Sequence, residues 1–107
     1  MIFITGGTGF IGQYLVKALL KKKEDVVCFV RATEDGSQIK KLGAKIVYGD
    51  ITSGDSVDHA FGLFPDVKEV VHLAALIKST DSKDHQQQNV VGTRNVVDAA
   101  VRHGVTR

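Results

Sequence analysis

The stretch Thr5-Gly6-Gly7-Thr8-Gly9-Phe10-Ile11-Gly12 carries the residue types and spacing best suited to chemistry in this chain, and that chemistry is phosphate binding. Two glycine patterns overlap in it, Gly7-x-Gly9-x-x-Gly12 and Gly6-x-x-Gly9-x-x-Gly12. A glycine at the turn tolerates positive φ. A middle glycine lets a pyrophosphate approach the backbone, and a last one permits close contact between helix and strand. The first N–H groups of the helix that follows, with the positive end of its dipole, suit an anion. No Gly-Lys-Ser/Thr follows, which excludes a Walker-type phosphate loop.

Other candidates lie further along. Arg31 stands 19 positions after Gly12, about where dinucleotide-binding domains place the group that meets the adenine ribose. An acidic residue there selects NAD. An arginine can pair bidentately with a 2′-phosphate and stack on adenine, so Arg31 points to NADP, with Lys40 or Lys41 as helpers. The alternative is NAD, held by way of Glu34 or Asp35 with Arg31 solvated. His72 lies between Val71 and Leu73 and reads as a packed histidine rather than a base; His59, His85 and His103 show no metal spacing. Cys28, the only cysteine, sits in an apolar run and reads as a buried, inert thiol. Tyr14 and Tyr48 are followed four residues later by Ala18 and Thr52, so neither makes a Tyr-x-x-x-Lys pair.

These residues need elements to hold them. Met1 to Thr5 is a short apolar run of β-formers leading into the glycines. From Phe10 to Lys23 the apolar residues recur at helical spacing, with Lys21 to Lys23 at the end that favours cations. Val26 to Val30 is apolar throughout, as a central parallel strand is. A short helix over Gln38 to Leu42 and a strand over Lys45 to Gly49 follow. Ser53 or Gly54 opens a helix to about Phe64, stopped by Pro65. Lys68 to Leu73 contains a fourth strand, and a long helix runs from about Asp84 to His103, with Gly104 as its C′ residue. Strict alternation of strand and helix predicts a parallel sheet covered on both faces, with ligands at the carboxyl ends of its strands.

The whole is one domain of 107 residues, 43% hydrophobic and 24% charged. That size can bury roughly 65% of its unfolded surface, and the composition is not that of a disordered chain. Net charge is only +2, too little to argue for nucleic acid or an anionic membrane. One cysteine excludes an intrachain disulfide framework. No apolar run is long enough to span a bilayer and no signal peptide is evident, so the expected location is cytoplasmic.

Four motifs in order give the chain a family resemblance: the glycine stretch at 5–12, Gly49-Asp50-Ile51 after the third strand, His72-Leu73-Ala74-Ala75 after the fourth, and Asn89-Val90-Val91-Gly92-Thr93 in the long helix. The chain resembles the N-terminal portion of the extended short-chain dehydrogenase/reductase family, which holds sugar-nucleotide epimerases, dehydratases and dihydroflavonol-reductase-like enzymes. The resemblance implies a Rossmann-type, doubly wound α/β sheet of about four strands in the order 3-2-1-4. It implies a nicotinamide dinucleotide bound by Gly6, Gly9, Phe10, Ile11 and Gly12. Asp50 would reach the adenine amino group and the Ile51 N–H a ring nitrogen, the competing role for Asp50 being a turn cap. Leu73, Ala74 and Ala75 would flank the nicotinamide, and Asn89 would support the active site.

The family's Ser/Thr, Tyr and Lys have no matching positions here, and its members are about three times as long. The expectation is therefore a truncated chain: the cofactor-binding portion of an oxidoreductase, epimerase or dehydratase acting on a sugar nucleotide or another small carbonyl or hydroxyl substrate, inactive by itself. The alternative is a non-catalytic NAD(P)-binding sensor or regulator. With a fifth strand missing, the fourth becomes an apolar edge, and self-association through Val70 to Leu73 is expected.

Overall fold

The computed structural model describes residues 1–73 and 83–105, with the backbone alone described over 83–89. Eight elements alternate without exception: β1 (Ile2–Thr5), α1 (Phe10–Lys21), β2 (Val26–Arg31), α2 (Ser37–Leu42), β3 (Lys45–Gly49), α3 (Gly54–Leu63), β4 (Glu69–His72) and α4 (Lys83–Arg102). The strands form one four-stranded sheet in the order β3-β2-β1-β4, and every pairing is parallel. This is the architecture the alternation of apolar runs predicts.

The side-chain period of a strand divides the core into two layers. On one face Phe3, Val27 and Phe29 meet Val57, Ala60 and Phe61 of α3 and Val96 and Ala99 of α4. On the other, Ile2, Ile4, Val26, Cys28 and Val30 meet Val16 of α1 and Ile39 of α2. β1 and β2 are apolar on both faces because both faces are covered. Phe3 stacks on Phe61 at 4.2 Å between ring centroids and lies 5.9 Å from Phe29. Burying each such ring contributes about 2–3 kcal/mol.

Local chemistry sets the helix ends. The Ser53 hydroxyl accepts the Ser56 N–H at 3.2 Å and caps α3; the helix stops at Leu63, ahead of Pro65. Gly104 has φ 74°, and the N–H groups of Val105 and Gly104 bond to the carbonyls of Ala100 and Val101, the reciprocal pattern of a left-handed helix stop. α1 ends at Lys21, two residues before the lysine run suggests. Lys23 takes φ 61°, so that the Glu24 and Lys23 N–H groups close back on Leu19 and Leu20. β4 lies one residue earlier than the apolar run suggests, although the Leu73 N–H still continues the ladder to the Thr5 carbonyl at 3.0 Å. All four β4 residues are only half-buried, as befits the outermost strand on that side among the described residues.

Candidate functional site

The parallel register brings four strand ends to one edge of the sheet. Thr5 pairs with Phe29 on one side and His72 on the other, and Arg31 pairs with Gly49. The glycine loop after β1, Arg31 at the end of β2, Asp50 and Ile51 after β3, and Leu73 after β4 therefore converge along the carboxyl edge. The chain reverses its direction of winding at β1, which pairs with both β2 and β4, and that switch point is where doubly wound sheets open a crevice.

The loop geometry decides between the two overlapping glycine patterns. Gly6 has φ 79°, a conformation that disfavours any side chain. A Cβ on Gly12 would lie 2.1 Å from the Gly6 carbonyl oxygen and 2.7 Å from the Gly7 Cα, so α1 starts pressed against the turn. Gly6 and Gly12 are thus the positions where the turn itself requires glycine, which favours the pattern that starts at Gly6. Gly7 serves packing, since a Cβ there would come 3.0 Å from the Cys28 sulfur. The Gly9 N–H bonds to the Gly6 carbonyl at 3.2 Å, and the first helical bond of α1 runs from Gln13 N–H to Gly9 O at 2.9 Å. The amides of Phe10, Ile11 and Gly12 precede that bond and face outward from the helix start. The Gln13 side-chain amide donates to the Thr8 carbonyl at 2.8 Å and closes the loop. Phe10 and Ile11 are 92% and 66% exposed, so what these two residues offer a ligand at this edge is backbone N–H and apolar surface.

Beside the loop, the Thr8 hydroxyl donates to the Glu34 carboxylate. The Glu34 N–H bonds to the Arg31 carbonyl at 3.0 Å, so the chain turns tightly after β2 and returns an acid to the glycine loop. Arg31, Glu34, Asp35, Lys40 and Lys41 are all exposed. Asp35 is committed locally: its carboxylate accepts the Ser37 N–H at 2.9 Å, which also lowers its pKa.

Asp50 is an exposed turn residue. Its Oδ1 accepts the Thr52 N–H at 2.9 Å and the Thr52 hydroxyl at 2.7 Å. Those bonds first, and the charge of Arg31 more weakly, hold its carboxyl below the usual carboxylate range. The capping role is thus present, and a carboxylate with four lone-pair sites keeps capacity for a further donor. The neighbouring Ile51 carbonyl accepts from the Asn95 side-chain amide at 2.9 Å, and the Ile51 side chain lies against Gly92, where a Cβ would come within 3.1 Å of it. α4 therefore fixes this turn.

Ala74 and Ala75 lie outside the described residues, as does the Asn89 side chain. His72 is half-buried and desolvation lowers its pKa. Its ring meets hydroxyl partners that the apolar flanks do not suggest. Its Nδ1 lies 2.5 Å from the Thr5 hydroxyl and its Nε2 3.0 Å from the Thr93 hydroxyl of α4. Flanking valine and leucine hid this, because alternate strand positions face opposite layers. Thr5, Thr8, Thr93 and Asn95 also escaped sequence reasoning, since a polar residue in an apolar pattern does not name its partner. Burial pushes the Cys28 thiol up to about 12, which leaves it inert. Among the described residues no three His, Cys, Asp or Glu side chains gather as a metal site, and no helix is long and apolar enough to cross a membrane.

The sheet order, the glycine turn and the switch point at β1 define a doubly wound α/β domain of the Rossmann type. Its family is equally plain: residues 2–107 match the model of the NAD dependent epimerase/dehydratase family, and the chain belongs to it. Similar proteins include "Sterol demethylase protein B" of Methylococcus capsulatus, 36% identical over 97% of this chain and 31% of that protein. A "Putative dihydroflavonol 4-reductase" of Synechocystis is 34% identical over 98% of this chain and 30% of that protein. Among solved structures, gox2253 is 32% identical with a TM-score of 0.83, over 98% of this chain and 32% of that one. The Bordetella bronchiseptica enzyme WbmH, in complex with NAD+, is 32% identical with a TM-score of 0.78, over 97% of this chain and 36% of that one. The chain thus spans about a third of the length of the relatives it matches.

Proposed function

We propose that this chain binds a nicotinamide adenine dinucleotide along the carboxyl edge of its sheet, as the cofactor-binding portion of an oxidoreductase, epimerase or dehydratase. The substrate would be a sugar nucleotide or another small carbonyl or hydroxyl compound. The glycine loop carries this reading: a left-handed Gly6, a Gly12 pressed on the Gly6 carbonyl, and three outward amides at the start of α1. Phosphate oxygens would accept from Phe10, Ile11 and Gly12 N–H groups. Asp50 and Ile51 would meet the adenine, Arg31 the ribose side, and Leu73, Ala74 and Ala75 the nicotinamide side, with Asn89 beside the substrate. The bound group would supply the hydride chemistry. The 107 residues contain no Tyr-x-x-x-Lys pair, so the chain alone is expected to bind without turnover. That WbmH was solved with NAD+ at 32% identity supports the ligand class.

Two cofactors compete for the ribose side. Exposed Arg31 favours NADP. The Glu34 carboxylate at Thr8 favours NAD, because a ribose 2′-OH can donate to a carboxylate whereas a 2′-phosphate would be repelled by it. The test is calorimetric titration of NADPH and NADH into wild type, Arg31→Ala and Glu34→Gln. Tighter NADPH binding that is lost with Arg31→Ala supports NADP. Tighter NADH binding that Glu34→Gln relaxes toward NADPH supports NAD. Folded protein that binds neither would overturn the proposed site.

A further inference from the structure

His72 is the side chain that joins three elements at the carboxyl edge. It ends β4, directly opposite Thr5 in the register with β1. One ring nitrogen meets the Thr5 hydroxyl and the other the Thr93 hydroxyl of α4. A neutral imidazole offers one donor and one acceptor, and each hydroxyl can take either role, so both nitrogens are satisfied by partners on opposite sides of the ring. Thr5 immediately precedes Gly6, the residue whose φ of 79° starts the glycine turn. Thr93 lies between Gly92, which packs on Ile51, and Asn95, which holds the Ile51 carbonyl. The two turns assigned to the phosphates and the adenine are far apart in sequence, yet α4 holds one directly and is joined to the start of the other through His72.

We propose that His72 is a positioning residue: by bridging Thr5 and Thr93 it locks the glycine loop to α4, and so holds the loop in fixed relation to the Asp50–Ile51 turn. It touches neither the loop amides nor the adenine turn and acts through Thr5 and α4. Its consequence for ligand affinity rests on the dinucleotide reading above; its consequence for the loop does not.

The experiment separates the two. Backbone amide spectra of the ligand-free chain are recorded for wild type, His72→Phe, Thr93→Val and the double variant, and NADH affinity is measured on each. Thr93→Val keeps volume and removes only the hydroxyl. The expected result is that Thr93→Val shifts the amides of Gly6 and Gly9 in the wild-type background and leaves them unmoved in the His72→Phe background. NADH affinity should fall about five- to tenfold in each single variant and no further in the double, as for one lost hydrogen bond between pre-ordered groups. His72→Asn, which keeps a polar group near Nδ1, should restore part of the loop signal. A residue of merely local structural value would give additive effects and no shift across the bridge. Loop amides that ignore Thr93→Val overturn the proposal, and they do so even where His72→Phe fails to fold. Coupled loop shifts in a chain that binds neither NADH nor NADPH would uphold the positioning role and sink the dinucleotide reading instead.

Discussion

Gly12→Ala sets two effects of opposite sign against each other. Gly12 is the third residue of α1, and in an unconstrained helix alanine is favoured over glycine by roughly 1 kcal/mol. Here the added Cβ would lie 2.1 Å from the Gly6 carbonyl oxygen, with the Gly7 Cα at 2.7 Å and the Gly6 carbonyl carbon at 2.9 Å. All three neighbours are backbone, so no side chain can swing aside. Relief from 2.1 Å to an ordinary contact of 3.4 Å requires the helix start or the turn to move by roughly 1.3 Å. Overpacking of this kind costs roughly 1–3 kcal/mol, and a backbone obstacle puts it at the upper end. The net expectation is destabilisation by about 1–2 kcal/mol, or a fall in Tm of roughly 5–15 °C for a domain this small. Gly62→Ala is the control. Gly62 lies in α3, and a Cβ there would meet nothing closer than 4.0 Å, at His103; it should stabilise by about 0.4–1 kcal/mol. Urea unfolding of both variants, with m-values compared, reads the two signs in one protein. A Gly12→Ala chain as stable as wild type would refute the close approach of α1 to the glycine turn. On the proposed dinucleotide reading, affinity for NADH or NADPH should be lost with the same substitution, since the amides of Phe10, Ile11 and Gly12 move with the helix start.

Phe61→Ala should destabilise by about 3–5 kcal/mol by chemical denaturation, because this fully buried ring stacks on Phe3. Asp58 accepts from His103 at 2.9 Å and from Arg102 at 3.2 Å, and those bonds lower its pKa below 3.8. A carboxyl depressed in the fold stabilises fully above its unfolded value and loses that contribution as pH falls through the folded one; Asp58→Asn should therefore flatten the urea midpoint below pH 4 and leave its pH dependence near neutrality little changed. Burial lowers the His72 pKa from 6.5, so the fold favours its neutral form, and stability should decline as pH drops below about 6.5. His72→Asn should remove that part of the slope. Gel filtration at micromolar concentration tests self-association along the outer edge of β4, and a clean monomer would count against it.

Strand–helix alternation was legible because each element buries a face against the sheet, and the period of its apolar residues records that face. The glycine loop was legible because positive φ and close approach restrict residue type so sharply that Gly6 and Gly12 admit no ordinary substitute. What escaped were contacts that join elements through polar side chains. Thr5, His72 and Thr93 each look ordinary in their own segment: a threonine at a strand end, a histidine among apolar neighbours, a threonine in a helix. Their meaning comes from the parallel register, which sets Thr5 opposite His72, and from the placement of α4 over that face, which brings up Thr93. Glu34 shows the same gap. The sequence offers it as the acid of the NAD alternative, but its distance from the glycines does not show that the turn after β2 returns it to Thr8, and so the reading leans to Arg31. A period or a glycine pattern constrains one segment at a time. Cofactor choice depends on how two segments face each other, and so Arg31 and Glu34 have to be weighed as a pair, on the same edge and with opposite charge.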